Sequence, residues 1–172
     1  MRITITGTPG TGKSTVAKLL AERLKLPLFE LSRLVREEKL YSELDDERNA
    51  LVVDPEKLKS YFENRNAFIA EGLVAHLIPA DLLVILRASP ETVRKRLAPR
   101  NYPPAKVEEN VEAERFAVIA TEALENPLAE RVIHIDTTNR IPEQVAELIE
   151  RAVKGEEIFE DVDWLETEGN SG

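Results

Sequence analysis

The sequence predicts an α/β fold in which a five-stranded parallel sheet carries helices on both faces. Short apolar, β-branched runs alternate with longer segments of helical periodicity along nearly the whole chain, a pattern typical of βαβ units. The chain has 172 residues, of which 42% are hydrophobic and 32% charged, which suits one globular domain with a full core. We expect a single domain over residues 1–165 and a flexible acidic tail over 166–172.

Five runs have the composition of buried strands, because they are apolar and rich in β-branched residues over a few positions. The predicted strands are 3–6, 28–30, 67–71, 82–86 and 131–135.

Helical periodicity occupies the segments between these runs. A first helix is predicted over 14–25, and the charged segment 31–64 is predicted to be a small helical excursion, rather than sheet, that covers a ligand. The Pro-rich run APRNYPPAK predicts a loop between two later helices. The remaining predicted helices are 90–98, 106–124 and 141–153.

Composition excludes several classes of protein. Thirty-two acidic against 23 basic residues give a formal charge of −9, opposite to the charge of a chain that binds nucleic acid unaided, and a basic partner suits it better. The sequence has no cysteine, which excludes disulfides and thiolate metal sites and favours a reducing compartment, by default the cytoplasm. No apolar run approaches the ~18 residues that cross a bilayer, and the first motif leaves no room for a signal peptide.

The C-terminal segment from residue 154 contains seven acidic residues and one basic residue. Such a segment is either a solvated terminus or a tail that docks on this protein or on a basic partner. Trp164 lies among the acids and favours docking.

Residues 7–14 read GTPGTGKS, a complete G-x-x-x-x-G-K-[ST] phosphate-binding loop between a predicted strand and a predicted helix. Its glycines let backbone N–H groups approach phosphate oxygens at a helix N-terminus. The lysine reaches the β- and γ-phosphates, and the Ser14 hydroxyl can ligate Mg²⁺. The predicted nucleoside triphosphate-binding residues are Gly10, Thr11, Gly12, Lys13, Ser14 and Thr15.

A second Mg²⁺ ligand is expected at the end of a neighbouring strand. Glu71 ends the run AFIAE and precedes Gly72, so it occupies that position, although Asp is more usual there. The alternative interpretation is a strand-end carboxylate in water.

Arginines form two groups that we expect to flank the loop, where a phosphoryl-transfer site needs positive charge. The alternative for each is a solvated salt bridge, and the grouping favours Arg36 and Arg100. The first group is Arg33 and Arg36; the second is Arg87, Arg94, Arg96 and Arg100.

Several segments together resemble one family over roughly residues 1–165. They are GTPGTGKST, LVREEKLY, EGLVAHLIP, LLVILRASPETVRKRLAPRNY followed by KVEEN, and VIHIDTTN. The chain resembles the small adenylate kinases of archaea and the eukaryotic nuclear adenylate kinase isoenzyme 6. The resemblance implies a P-loop NTPase fold, nucleoside monophosphate kinase activity, and an ATPase role in late small-ribosomal-subunit (16S rRNA) maturation through a basic platform ribosomal protein.

The resemblance also assigns residues. It implies ATP on the phosphate-binding loop, a monophosphate-binding region over about 30–53 with Arg36 on AMP, and a short lid over 98–108 from which Arg100 contacts ATP. The family often has a His two residues after the acid of EGLVAHLIP, but this chain has Leu73 there. If that His orients water, this chain either hydrolyses ATP poorly or uses His76 instead. The alternative for His76 is a helix-surface or packed imidazole. The candidate catalytic residues are Lys13, Arg36, Glu71, His76 and Arg100.

Three functions follow as hypotheses. The first is Mg²⁺-dependent transfer of the γ-phosphoryl group of ATP to AMP, with ATP hydrolysis as a side activity. The second is an assembly factor whose nucleotide state controls docking of a ribosomal protein. The third is a kinase of another small acceptor, since shikimate and gluconate kinases share the loop and general architecture.

Overall fold

The computed structural model describes residues 1–45 and 50–165. Within these residues, five parallel strands form the central sheet in the order β2-β5-β1-β6-β7, and β3 and β4 form a separate antiparallel hairpin. The strands are β1 (Arg2–Gly7), β2 (Leu28–Glu30), β3 (Tyr41–Asp45), β4 (Ala50–Val53), β5 (Phe68–Glu71), β6 (Ala80–Arg87) and β7 (Ala129–Asp136). The five predicted strands of the sheet are confirmed, each within two residues at either end.

The helices connect the strands and cover both faces of the sheet. They are α1 (Lys13–Leu24), α2 (Leu31–Glu37), α3 (Pro55–Phe62), α4 (Pro90–Leu97), α5 (Pro104–Arg115), α6 (Val118–Glu125) and α7 (Pro142–Val153), with 3₁₀ turns at Ala75–Leu77 and Ala98–Arg100. Helices α3, α4, α5 and α7 each begin on a proline, a residue that lacks the N–H a first helical turn leaves unpaired. Among the described residues no helix has the length and apolarity needed to cross a bilayer.

Strand β6 shows why the sheet is covered on both sides. Its side chains alternate, so that Leu82 and Val84 join the core beneath α1 and α7, whereas Leu83 and Ile85 pack with Ala120 and other residues of α6. A strand buried on both faces reads as a continuous apolar run, and LLVIL is such a run.

The parallel register brings the carboxyl ends of the strands to one edge of the sheet. Ile5 of β1 lies opposite Glu71 of β5, and Gly7 lies opposite Leu86 of β6. Open α/β sheets bind their ligands in the crevice outside this edge. The phosphate-binding loop and the acid predicted to serve Mg²⁺ therefore belong to the same edge.

The prediction that segment 31–64 is helical rather than sheet was wrong for its middle part. Helices α2 and α3 are present, but residues 41–45 pair antiparallel with residues 50–53. Val52 and Val53 are β-branched and favour a strand, and Leu51 and Val53 pack on the cluster that contains Leu58 and Phe68.

The prediction of a single helix over 106–124 was also wrong, because the helix is interrupted at Ala117. This residue has φ of 54°, in the left-handed region that ends a helix, although it is not glycine. The break lets α5 place Val111 against α4 while α6 turns Ala120 and Ala123 onto the sheet. Packing on two different surfaces therefore overrides local helix propensity.

The described part of the acidic segment docks on this protein itself. The Ile158 carbonyl accepts a hydrogen bond from the His134 N–H at 3.1 Å, and the Glu160 N–H donates to the His134 carbonyl at 2.9 Å. The segment thus pairs with β7, the edge strand of the sheet, through a parallel β-bridge between His134 and Phe159. The rings of these two residues are stacked, with 4.9 Å between their centroids. The predicted flexible tail, 166–172, lies outside the described residues.

Candidate nucleotide-binding site

The loop between β1 and α1 requires glycine at two positions. Gly10 and Gly12 have φ of 94° and 96°, in the region that side chains rarely adopt. A Cβ at Gly10 would also lie 3.2 Å from side-chain atoms of Val93 and Leu97. The loop is therefore bent around the start of α1, where backbone N–H groups and the helix dipole favour an anion.

The carbonyl of Thr8 organises the interior of this loop. It accepts hydrogen bonds from the Thr11 N–H at 3.2 Å and the Thr11 hydroxyl at 2.7 Å, and the Lys13 Nζ donates to it at 3.3 Å. The lysine side chain is thus folded back over the loop towards the end of β1. Thr11 therefore shapes the loop from inside, with 0% of its surface exposed.

Burial lowers the pKa of Lys13 to about 8, because removal from water disfavours the charged amine. The nearby Glu71 carboxylate acts in the opposite direction, and the charge of Arg100 adds to the lowering. Phosphate oxygens at this position would add negative charge beside the amine and favour its protonated form. The amine is therefore well placed to respond to an anionic ligand.

Ser14 and Glu71 meet beside the lysine. The Ser14 hydroxyl donates to Glu71 Oε1 at 3.3 Å, and the carboxylate is only 5% exposed. Burial raises the pKa of Glu71, against the opposing effect of Lys13. In the described parts of the chain no three His, Cys, Asp or Glu side chains form a metal-binding group. The Ser14 hydroxyl and the Glu71 carboxylate form a pair of oxygen ligands next to the loop.

A cleft of about 280 Å³ opens on one side of the loop. Arg96 borders it and fixes the surrounding backbone: its guanidinium donates to the Gly10 carbonyl at 3.3 Å and to the Thr137 carbonyl at 2.8 Å. We call this space the donor cleft. Its lining includes Gly10, Thr11, Gly12, Thr15, Arg96, Arg100, Thr137 and Arg140.

A second cleft, of about 220 Å³, is mostly apolar. Arg36 from α2 is its cationic lining residue, and Leu73 and Val74 line it two and three positions after Glu71. We call this space the acceptor cleft. The other lining residues are Leu31, Ser32, Val35, Leu51 and Val53.

Two of the arginines that were expected to flank the loop have other partners. Arg33 donates to Glu30 at 2.7 Å, and Arg94 pairs with Glu108 at 2.8 Å, both near the protein surface. For these residues the salt-bridge alternative describes what the structure shows.

Arg87 is also a structural residue, because it is 2% exposed and its Nε lies 3.1 Å from both carboxylate oxygens of Glu114. Its expected role beside the phosphates was therefore wrong. The strand-end position suggested a site residue, but the acid that neutralises it comes from α5.

His76 lies on the 3₁₀ turn after β5 and is buried, with Nε2 3.4 Å from Glu122 of α6. The structure thus brings Lys13, Ser14 and Glu71 together and gives His76 an acidic neighbour on a different element. Its role in orienting water stays a prediction.

Sequence reasoning missed Glu114, which also contacts the loop. Its Oε1 accepts from the Thr8 hydroxyl at 3.1 Å, and its Oε2 accepts from the Ala88 N–H at 2.9 Å. Burial raises the pKa of this carboxyl, while Arg87 opposes the shift. Within a charged helix, nothing in the sequence separated this buried acid from its solvated neighbours.

Comparison with known proteins shows the family to which the chain belongs. The family described as "AAA domain" matches residues 3–117. A protein of Methanocaldococcus jannaschii named "Putative adenylate kinase" is 39% identical over 171 residues, covering 96% of this chain and 94% of that protein. A protein of the same name from Thermococcus kodakarensis is 42% identical over 174 residues, with the same coverage of both chains.

Solved structures show the fold. The shikimate kinase of Acinetobacter baumannii in complex with shikimate superposes with a TM-score of 0.59 at 17% identity, covering 89% of this chain and 92% of that chain. The YorR protein of Bacillus subtilis in complex with phosphorylated GDP gives 0.60 at 18% identity, with 90% and 96% covered. The architecture is thus the P-loop NTPase fold. The chain belongs to the AAA-domain family and to the family of archaeal proteins that are named putative adenylate kinases.

Proposed function

We propose that this P-loop kinase transfers the γ-phosphoryl group of ATP to AMP and yields two molecules of ADP. The observation that carries the proposal is the presence of two separate clefts with cationic linings. One is lined by glycines of the phosphate-binding loop and by Arg100, and the other is lined by Arg36 and by Leu73, which follows Glu71 by two positions. A hydrolase needs one nucleotide site and a water, whereas a transferase needs a donor and an acceptor held in line. Residues 30–53 form the acceptor-binding region in this proposal, and 98–108 form a short lid.

ATP occupies the loop and the donor cleft. Backbone N–H groups of the loop hold the polyphosphate, the Lys13 amine turns from the Thr8 carbonyl to the β- and γ-phosphates, and Arg100 adds positive charge from the lid. The nucleoside extends towards Thr137 and Arg140 in the donor cleft. Once ATP is bound, these groups hold fixed positions around the phosphates, so little reorganisation is needed as charge develops.

Mg²⁺ fits the oxygen pair formed by Ser14 and Glu71. Burial raises the pKa of Glu71 despite the nearby charge of Lys13, and a divalent cation would favour the ionised carboxylate. Mg²⁺ is commonly held by one or two protein oxygens together with substrate phosphates and water. When bound, it neutralises charge on the β- and γ-phosphate oxygens.

AMP occupies the acceptor cleft with its phosphate beside Arg36 and its base among the apolar side chains. One oxygen of the AMP phosphate attacks the γ-phosphorus, and the bond from that phosphorus to the bridging oxygen of ADP breaks. The attacking oxygen is already anionic, so no general base is required. Closure of the lid over the loop excludes water, which would otherwise compete as acceptor.

An acceptor panel tests the proposal. Purified protein with MgATP is mixed separately with AMP, the other nucleoside monophosphates and shikimate, and ADP formation is followed for each. AMP should accelerate ADP formation well above the rate with ATP alone. Equal rates with and without AMP would remove the transferase proposal, and stimulation by shikimate alone would favour the third hypothesis.

Replacing Arg36 by Ala should raise KM for AMP by about tenfold or more and leave KM for ATP within about twofold, because one charge-assisted contact to a phosphate is lost. Steady-state kinetics with each substrate varied in turn measures both constants. Arg33→Ala is the matched control, since Arg33 lies on the same helix and pairs with Glu30. Equal effects of the two substitutions on KM for AMP would contradict the placement of AMP.

Binding of MgADP should weaken as the pH rises above about 8. The pKa of Lys13 is about 8 in the free protein, and neighbouring phosphates raise it, so the protonated amine binds better and binding takes up a proton above that pH. Below the free pKa the amine is already charged and affinity should be constant. Calorimetry in two buffers of different ionisation enthalpy, from about pH 7 to about pH 9.5, measures the uptake.

The variant Lys13→Met is the control for this experiment, because it should bind more weakly with no uptake of a proton by residue 13. Wild-type binding without proton uptake at about pH 9 would contradict the role of Lys13.

ATP hydrolysis and a basic ribosomal partner stay predictions from the family resemblance. The described part of the acidic segment, to Leu165, packs on this protein. A partner of that kind would therefore meet other acidic surfaces or displace the segment.

A further inference from the structure

We propose that the C-terminal segment 156–165 is a positioning element of the nucleotide site, linked to it through Trp164 and Glu160. The inference rests on the proposed binding of nucleotide at the phosphate-binding loop. It assigns to the segment a role in nucleotide affinity, beyond the covering of a sheet edge.

The first link ends on Thr8. The Thr8 carbonyl accepts from the Lys13 Nζ at 3.3 Å, and its hydroxyl donates to Glu114 Oε1 at 3.1 Å. Thr8 itself is 1% exposed. Whatever fixes Glu114 therefore fixes Thr8, which is a residue of the phosphate-binding loop itself.

Trp164 is a further partner of this acid. Its indole N–H donates to Glu114 Oε2 at 3.4 Å, and the same oxygen accepts from the Ala88 N–H at 2.9 Å. Arg87 neutralises the carboxylate from within the protein. One buried carboxylate thus joins the loop after β1, the end of β6 and the C-terminal segment.

The second link reaches the donor cleft. Arg140 lines that cleft, and its Nη2 donates to Glu160 Oε2 at 3.0 Å. Glu160 also accepts from the Asp136 N–H at 2.9 Å, at the end of β7. The segment therefore contacts a cation of the cleft through Glu160 and the acid that holds the loop through Trp164. These two residues lie close together in the sequence of the segment.

The segment is fixed independently of these two links. Arg131 donates to the Glu156 carbonyl at 2.8 Å, and the paired hydrogen bonds of His134 with Ile158 and Glu160 anchor the next residues. An anchored segment loses little entropy when Trp164 and Glu160 engage the site. Because binding and docking are linked, nucleotide should in turn stabilise the docked segment.

Trp164 is the only tryptophan of the chain, so its fluorescence reports directly on this contact. Titration of the full chain with MgADP should change the Trp164 emission and give the same Kd as calorimetry. Trp164→Phe and Glu160→Gln should each weaken MgADP binding about three- to tenfold, the effect of one hydrogen bond or charge-assisted contact. Leu165→Ala is the matched control, since Leu165 is 49% exposed, and it should leave Kd unchanged.

A double-mutant cycle separates positioning from general stability. If Trp164 acts through Glu114 on Thr8, then Trp164→Phe should add little to the loss of affinity caused by Thr8→Val. A purely structural role would lower the unfolding midpoint while leaving Kd unchanged well below that temperature. Unchanged Kd in both Trp164→Phe and Glu160→Gln overturns the inference, whatever the fluorescence does. Absence of MgADP binding to the unaltered chain would instead remove the nucleotide site itself.

Discussion

Replacing Lys13 by Met is expected to lower the rate of ADP formation by about a thousandfold, because the substitution removes the buried cation that neutralises the transferring phosphoryl group. The same substitution should raise the midpoint of thermal unfolding. Burial lowers the pKa of Lys13 to about 8. Below that pH the amine is charged in the folded chain, and its burial lowers the free energy of unfolding. Steady-state kinetics and thermal unfolding of the same preparation measure the two effects.

The pH dependence of the stability effect follows from the sign of the shift. The pKa of Lys13 is lower in the folded chain than the ordinary value of 10.5, so the destabilisation is fully present below about pH 8 and disappears as the pH rises through the unfolded value. The gain in stability of Lys13→Met should therefore shrink at alkaline pH. Lys18→Met, an exposed position on the same helix, should change neither activity nor stability appreciably. A variant at Lys13 that retained most of the activity would contradict the site.

Replacing Arg87 by Met should lower the free energy of unfolding by about 3–5 kcal/mol, because it leaves the Glu114 carboxylate buried without its counter-charge. Arg87 and Glu114 are 2% and 1% exposed, so water cannot take the place of the guanidinium. Denaturant unfolding followed by circular dichroism measures the loss.

Arg94→Met is the control for this measurement. Arg94 pairs with Glu108, but their side chains are 46% and 54% exposed, and exposed pairs contribute at most about 1 kcal/mol. The two arginines lie seven positions apart and belong to one group in the sequence. Similar losses in both variants would contradict the assignment of Arg87 as a buried structural cation.

The strands of the central sheet and the phosphate-binding loop follow from the sequence, because each depends on local pattern. A strand buried on both faces is recognisable from its composition alone, as residues 82–86 illustrate. The loop is recognisable because glycines, lysine and a hydroxyl must occur at fixed spacing. Its placement between β1 and α1 is confirmed.

The features that sequence reasoning missed depend on contacts between distant residues. The break at Ala117 has no glycine or proline to indicate it, and it exists because α5 and α6 pack on different surfaces. Likewise Arg87 meets Glu114 across 27 residues, and neither residue type indicates burial by itself. Pairing and packing of this kind appear only when the elements are assembled.

The fate of the γ-phosphoryl group distinguishes its transfer to AMP from hydrolysis of ATP. MgATP labelled at the γ-phosphate is incubated with AMP and the protein, and the products are separated. For transfer to AMP, the label should appear in ADP, and two molecules of ADP should form for each ATP consumed. Label recovered only as inorganic phosphate, with one ADP for each ATP, would contradict this transfer.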